Sequence, residues 1–245
     1  MHLTYRVQQS NYSSRLEVLN SITSAQNLLI SYVDLEPHSL LHAGFLCDAI
    51  QKLHLTHGST ILELGMDPLK DFLIANICGV SIKCYDVDCE SVNAGNSLMR
   101  RIFGPNPPVK YVCGDFLKQD SPRGLFSLAL LSQMDYVLGN QYLKSFSKKL
   151  SFDFVDNILI ASPSTFRWYS KSPSVIAYNL ELLLKTSLNI IKRASPRKEM
   201  LWHIRSIGEI NRIFSAEYTL SSSSYYRQLY AITNLLTLRR NTSLT

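Results

Sequence analysis

The sequence predicts an α/β protein built on a doubly wound, mostly parallel sheet, with N-terminal helices before it, a helical insertion after strand five and an antiparallel terminal strand. Three observations predict it. From residue 59 onward short β-rich runs alternate with helical patterns, and strands alternating with helices form parallel sheets through helical crossovers. The first of those runs, "ILELG", ends in an acidic residue and a glycine, where sheets of this kind turn toward a ligand. The chain finishes on "AEYTLSSSSYYRQLYAITNLL", which reads as two strands joined by a serine-rich turn and so places one antiparallel strand in the sheet.

The elements follow in order. Residues 1–55 form a helical cap: Leu16, Leu19, Ile22, Ala25 and Leu29 repeat at helical spacing within 14–32, and Leu41, Phe45, Ala49 and Leu53 do so after Pro37. Residues 56–245 form the sheet domain. Its strands are expected at 59–65, 81–88, 109–115, 125–131 and 155–161, with helices at 68–78, 90–103 and 134–149 between them. An insertion at 163–205 carries a long helix and the basic connector "KRASPRKEMLWHIR". Ser206 and Glu209 then have the spacing of a capping box at the start of a last helix.

Composition narrows the class. A chain of 245 residues with 46% hydrophobic content supports one sizeable core. The longest apolar tract, 175–191, is broken by Asn179, Glu181, Lys185 and Asn189, so it reads as an amphipathic helix and no membrane crossing is expected. The N-terminus lacks a basic region followed by an apolar core. Cys47, Cys78, Cys84, Cys89 and Cys113 are odd in number and show no C-x-x-C spacing, which suits reduced thiols in a cytoplasmic protein, not metal ligands. Charge is uneven: residues 1–140 hold 10 basic against 13 acidic residues and 141–245 hold 15 against 6. A basic C-terminal half suits an anionic substrate, but its charges are dispersed along helices, without the concentrated stripe of an RNA enzyme.

The candidate site residues lie at strand ends. Gly65 allows a sharp bend after the first strand, while Asp67 and Leu69 stand where a dinucleotide-binding turn would carry further glycines. Asp67 before Pro68 instead makes a helix start, and its carboxylate would repel a phosphate but accept from an ammonium. At the end of strand two, Asp86 is placed to take ribose hydroxyls, with Asp88 as the cap of the next helix. After strand three, Asp115 could accept from an adenine amino group and Phe116 could contact the base. "NPP" at 106–108 precedes strand three and ends in Val109, so it is a proline-rich turn.

In this order, "ILELG", "CYDVD", "VCGDF" and "LFSLALLSQ", with the terminal strand pair, resemble the class I S-adenosylmethionine-dependent methyltransferases over about 59–161 and 206–236. The resemblance implies a Rossmann-like methyltransferase fold and S-adenosylmethionine as cofactor. It would place Glu63 and Gly65 at the methionine moiety, Asp86 at the ribose, Asp115 and Phe116 at the adenine, and Ser132 and Gln133 facing the cofactor after strand four. The sequence departs from the family in its glycine-poor turn and in Ser127, where an acidic residue often starts strand four. Over 61–116, "GMDPL" and "YDVDCESVNAG" are also similar to nicotianamine synthases, which transfer the aminobutyryl part of the same cofactor. A non-catalytic binding protein on the same fold is the third reading.

Methyl transfer from a sulfonium needs positioning above all, and a base only where the acceptor must lose a proton. Asp135 and Tyr136 are the candidates for contacting the acceptor. Arg167, Trp168 and Tyr169, after strand five, could bind an anionic group and stack on a ring. His38, His42 and His203 are isolated and read more readily as structural than as bases. Tyr5 and Tyr12 are candidates for a lid. No His, Cys and carboxylate cluster has metal-ligand spacing, so no metal is expected. The apolar additions at 1–55 and 163–205 suit a small-molecule acceptor.

Overall fold

The structure is a computed structural model that describes residues 37–56, 58–120, 122–135, 137–163, 205–227 and 232–241. The expected helix at 14–32, nearly all of the insertion at 163–205, and the candidates Tyr5, Tyr12, Tyr136, Arg167, Trp168, Tyr169 and His203 lie outside these residues, as does the side chain of His38. The chain forms two compact units, residues 1–120 and 121–245. No helix among the described residues is long and apolar enough to cross a membrane.

The first unit begins with helix α1 (Pro37–Lys52), followed by β1 (Thr60–Leu64), α2 (Pro68–Cys78), β2 (Ser81–Asp86), α3 (Cys89–Phe103), β3 (Val109–Cys113) and a 3-10 turn at Phe116–Lys118. Its strands are ordered β3-β2-β1 and pair in parallel. β1 reads as an apolar run because Ile61, Leu62 and Leu64 are all buried, as strands covered on both faces require. Each helix boundary has a local cause. Asp67 caps α2 by accepting from the Lys70 amide, Pro68 occupies the first turn, and Gly79 ends the helix in the left-handed conformation. Asp88 caps α3 by accepting from the amides of Glu90 and Ser91.

The edge of β3 is tied to α3 by one side chain. Asn96 donates from Nδ2 to the Tyr111 carbonyl at 2.8 Å and accepts from the Tyr111 amide at 3.0 Å, so it takes the place of a further strand. Its neighbour Gly95 makes this approach possible. A Cβ there would lie 2.8 Å from Met66 Sδ and 2.9 Å from the Tyr111 ring.

The second unit contains β4 (Leu128–Ser132), α4 (Asn140–Phe152), β5 (Asn157–Pro163), α5 (Ile207–Phe214), β6 (Tyr218–Arg227) and β7 (Ile232–Arg240). Its strand order is β4-β5-β7-β6. β4 and β5 are parallel, and β7 runs antiparallel to both its neighbours, β5 and β6. The terminal strand is thus the one antiparallel member expected from the hairpin. The serine run, expected as the hairpin turn, lies inside β6: Ser222, Ser223 and Ser224 pair with Thr237, Leu236 and Leu235, after an irregularity between Leu220 and Ser222. These serines are exposed on the edge strand, where small polar side chains fit.

The capping box at α5 forms as its spacing predicts, with the Ser206 hydroxyl accepting from the Glu209 amide and the Glu209 carboxylate accepting from the Ser206 amide. The helix expected at 134–149 starts later, at Asn140. Arg205 is the physical reason. Its guanidinium donates to the carbonyl of Asp135, to that of Leu138 at 2.7 Å and to Asn140 Oδ1 at 2.8 Å. These bonds hold the segment before Asn140 as a turn, and Arg205 lies 65 residues from Asn140 in sequence.

Two glycine replacements separate space from helix propensity. Gly95→Ala should destabilise the protein, because overpacking costs about 1–3 kcal/mol against a propensity gain of about 1 kcal/mol. Gly44, in α1, has nothing within 4 Å of a built Cβ, so Gly44→Ala should stabilise by about 0.5–1 kcal/mol. Urea midpoints moving in opposite directions, at unchanged slope, are the expected result.

Candidate functional site

Three turns at the C-terminal ends of β1, β2 and β3 meet through Asp86. Gly65 adopts a φ of 80°, a conformation that suits glycine, and its amide donates to the Tyr85 carbonyl at 3.0 Å. The next amide, that of Met66, donates to Asp86 Oδ2 at 3.0 Å. Asp86 Oδ1 accepts from the Asp88 amide at 2.9 Å, and the Asp86 carbonyl accepts from the Gly114 amide at 2.8 Å. Asp86 therefore holds the first turn with one oxygen, its own turn with the other, and the third turn with its backbone. Each carboxylate oxygen keeps acceptor capacity beyond the amide it takes.

Beneath the first turn lies a buried ionic cluster. Glu63, Lys70 and Asp71 are all inaccessible to solvent or nearly so, with Lys70 Nζ 2.5 Å from Glu63 Oε1 and 3.6 Å from Asp71 Oδ1. Burial, reinforced by the neighbouring Asp71, pushes the Glu63 carboxyl well above its usual range. Burial also raises Asp71, against the pull of Lys70. For Lys70 the desolvation that favours the neutral amine is outweighed by Glu63 and Asp71, so the ammonium is held. Burial, followed by Lys70, pushes His42 down to about 4, so this histidine of α1 is a neutral, buried group at neutral pH.

The cluster alters the expectation for Glu63 and leaves that for Asp67. Glu63 was expected to line the methionine moiety, but its carboxyl faces Lys70 inside the fold. Asp67 is the half-buried cap of α2, as its place before Pro68 predicts. Potential ligand atoms of Glu63, Asp71 and Cys84 lie within 4.8 Å of one another, a grouping that spacing did not reveal. The cation among them is the Lys70 ammonium.

At the third turn, Asp115 accepts from the Leu117 amide at 3.0 Å. Phe116 is buried, with its ring edge-on to Tyr85 at 5.2 Å, so it packs the core where base contact was expected. The apolar surface beside Asp86 belongs instead to Val87, whose side chain is 76% exposed. Sequence reasoning passed over Val87 because an apolar residue between two aspartates reads as part of the strand.

The cysteines also depart from expectation. Cys89, first in α3, and Cys113, last in β3, are joined as a disulfide with their Cα atoms 5.0 Å apart, within the range such bonds require. Cys47, Cys78 and Cys84 are not part of a disulfide. The pair is 24 residues apart in sequence, and only the parallel pairing of β2 with β3 brings its members together.

In the second unit, Ser132 ends β4, and Gln133 follows with a φ of 58° and its amide donating to the Ala161 carbonyl at 2.9 Å. Asp135 is buried, accepting from the Ser162 hydroxyl at 2.6 Å while its carbonyl accepts from Arg205. Its carboxylate is thus engaged within the unit, not presented to an acceptor.

The fold is the Rossmann-like fold of the class I S-adenosylmethionine-dependent methyltransferases. The chain matches a magnesium protoporphyrin IX methyltransferase from Synechocystis PCC 6803 with bound SAH, with a TM-score of 0.59 and 8% identity over 85% of this chain and 88% of that one. It matches geranyl diphosphate methyltransferase in complex with SAM with a TM-score of 0.56 and 11% identity over 82% and 85% of the two chains. The MccD protein gives a TM-score of 0.58 and 14% identity over 80% and 96%. At these identities the likeness is one of fold. No protein-family profile and no curated protein matches the sequence.

Replacing Lys70 with methionine tests the cluster. Removing one partner of a buried ion pair costs about 3–5 kcal/mol, and the expected loss at neutral pH is of that order. Because folded Glu63 keeps its proton above the unfolded carboxylate pKa of about 4.3, its contribution is complete below that pH and is lost as pH rises. The variant raises both carboxyls further, so its deficit should be greatest at neutral pH and narrow toward pH 5. His42 acts oppositely, losing stability as pH falls from about 6.5 toward 4, and removal of Lys70 eases that loss too. Urea denaturation at pH 5 and pH 7 is the check; a gap that widens at pH 5 would contradict this account.

Proposed function

We propose that the protein is an S-adenosylmethionine-dependent methyltransferase acting on a small molecule. The observation that carries the reading is the placement of Asp86, a carboxylate at the end of β2 that joins the turns after β1, β2 and β3 and keeps acceptor capacity on both oxygens. The residues fit the cofactor: Asp86 for the ribose hydroxyls, exposed Val87 for the base, Gly65 and Asp67 at the first turn for the aminoacyl end, and Asp115 for the adenine amino group. The bound cofactor supplies an electrophilic methyl group on a sulfonium.

Asp135, buried on Ser162, and Tyr136 are the candidates for positioning the acceptor, and Arg167, Trp168 and Tyr169 remain the substrate candidates. Ser132 and Gln133 follow β4, where the family resemblance expects cofactor contacts. A small-molecule acceptor is supported by matches whose names specify magnesium protoporphyrin IX and geranyl diphosphate. An anionic acceptor suits the basic charge of residues 141–245.

Calorimetry with S-adenosylmethionine tests the cofactor. Asp86→Ala should weaken binding at least about tenfold, because hydrogen bonds to a charged group contribute about 1.5–3 kcal/mol each. Far-ultraviolet circular dichroism should remain that of the parent. Tight binding of a dinucleotide with none of the sulfonium would overturn the assignment. Incubating methyl-labelled and carboxyl-labelled cofactor with cell extract then decides the chemistry: transfer of the methyl label supports methylation, transfer of the carboxyl label makes the protein an aminobutyryl transferase, and transfer of neither favours a binding protein.

A further inference from the structure

The proposed cofactor turns are linked by a bond that the transfer reaction does not use. Cys89 directly follows Asp88, whose amide is held by Asp86, and Cys113 directly precedes Gly114, whose amide is held by the Asp86 carbonyl. Across the sheet Cys113 is the register partner of Asp86 itself. The disulfide therefore closes a ring through the turn that carries Asp86 and Val87 and the turn that carries Asp115. Both cysteines are exposed, whereas Cys47 and Cys84 are buried, so an external thiol or disulfide meets this pair more readily than those two.

We propose that Cys89 and Cys113 are a reversible oxidation site that sets the affinity of the adjacent nucleoside site, the bridged form binding more tightly. The proposal rests on the cofactor reading above. Its physical basis is pre-organisation: with the bridge closed, the turns bearing Asp86 and Asp115 are already fixed, and the ligand does not bear the cost of ordering them. In the dithiol form no covalent link joins the two turns, which then rest on the Gly114–Asp86 hydrogen bond and the packing behind it.

The chemistry is thiol–disulfide exchange with a small-molecule disulfide such as glutathione disulfide as oxidant. One cysteine thiolate attacks that disulfide and expels a glutathione thiolate, giving a mixed disulfide. The second cysteine thiolate attacks the protein sulfur of the mixed disulfide and expels the second glutathione. The two cysteines lose two protons and two electrons, and one glutathione disulfide becomes two thiols; excess glutathione reverses both steps.

The test equilibrates the full chain in buffers of reduced and oxidised glutathione, locates the bridge by peptide mass mapping and measures S-adenosylmethionine binding in each state by calorimetry. The expected result is a bridge at Cys89–Cys113 that forms and opens reversibly, with affinity about three- to tenfold lower in the dithiol state, a loss on the scale of ordering costs at binding sites. Cys89→Ser and Cys113→Ser should each bind like the dithiol parent in both buffers. Failure of the bridge to form, equal affinity in the two states, or a redox response that persists in the serine variants would overturn the proposal. Equal binding by both states would leave the cofactor reading standing, whereas absence of binding in either state, with the bridge mapped, would remove that reading and the coupling with it.

Discussion

The Lys70 ammonium is the constraint on which the first unit's geometry depends. Two carboxyl groups, Glu63 on β1 and Asp71 on α2, are buried beside it, and burying such groups without a counter-charge would be costly. Lys70 can reach them only if α2 begins close to the end of β1. Asp67 and Pro68 start the helix there, and the short turn that remains, Gly65 and Met66, presents the Met66 amide to Asp86. The interior charge balance thus fixes the helix start, the helix start fixes the turn, and the turn fixes the carboxylate at the end of β2.

This chain of constraints also explains how the turn forms with few glycines. In a dinucleotide-binding turn the later glycines allow backbone amides to approach a pyrophosphate. Here the amides are engaged by the protein's own carboxylates: Met66 by Asp86, Lys70 by Asp67 at 3.2 Å, and Asp67 more weakly by Asp71 at 3.4 Å. Glycines for close phosphate approach have no role where side chains already occupy the donors.

Elements with a strong local signal were legible in the sequence. The strand–helix alternation, α2 at Pro68–Cys78 and the Ser206–Glu209 capping box each follow from residues within a few positions of one another. Features created by long-range contact were not. A lysine in a helix reads as a solvated face, so nothing local marks Lys70 as interior. The partner of Cys89 lies on another strand, and the delayed start of α4 is imposed by Arg205. The serine run followed the usual preference for turns, but an edge strand tolerates it. Phe116 was read from its place beside Asp115, whereas its burial against Tyr85 depends on how β2 and β3 pack.

The electrostatic case for a ligand without phosphates shifts to different residues. The sequence suggested that Glu63 and Asp67 together favour a cationic ligand. Folding removes Glu63 from that account, since its carboxyl is raised toward the protonated form by burial and lies against the Lys70 ammonium. With Asp71 and Lys70 opposing one another, the interior cluster contributes little net field. Asp67, Asp86, Asp88, Glu90 and Asp115 remain at the turns, half-buried or exposed. A pyrophosphate would meet this acidic rim with the Met66, Asp67 and Lys70 amides of the first turn already engaged. The proposed ligand, with ribose hydroxyls, an ammonium and a sulfonium, would meet acceptors and opposite charge instead, so on that proposal the rim, and not the buried glutamate, sets the sign of the ligand.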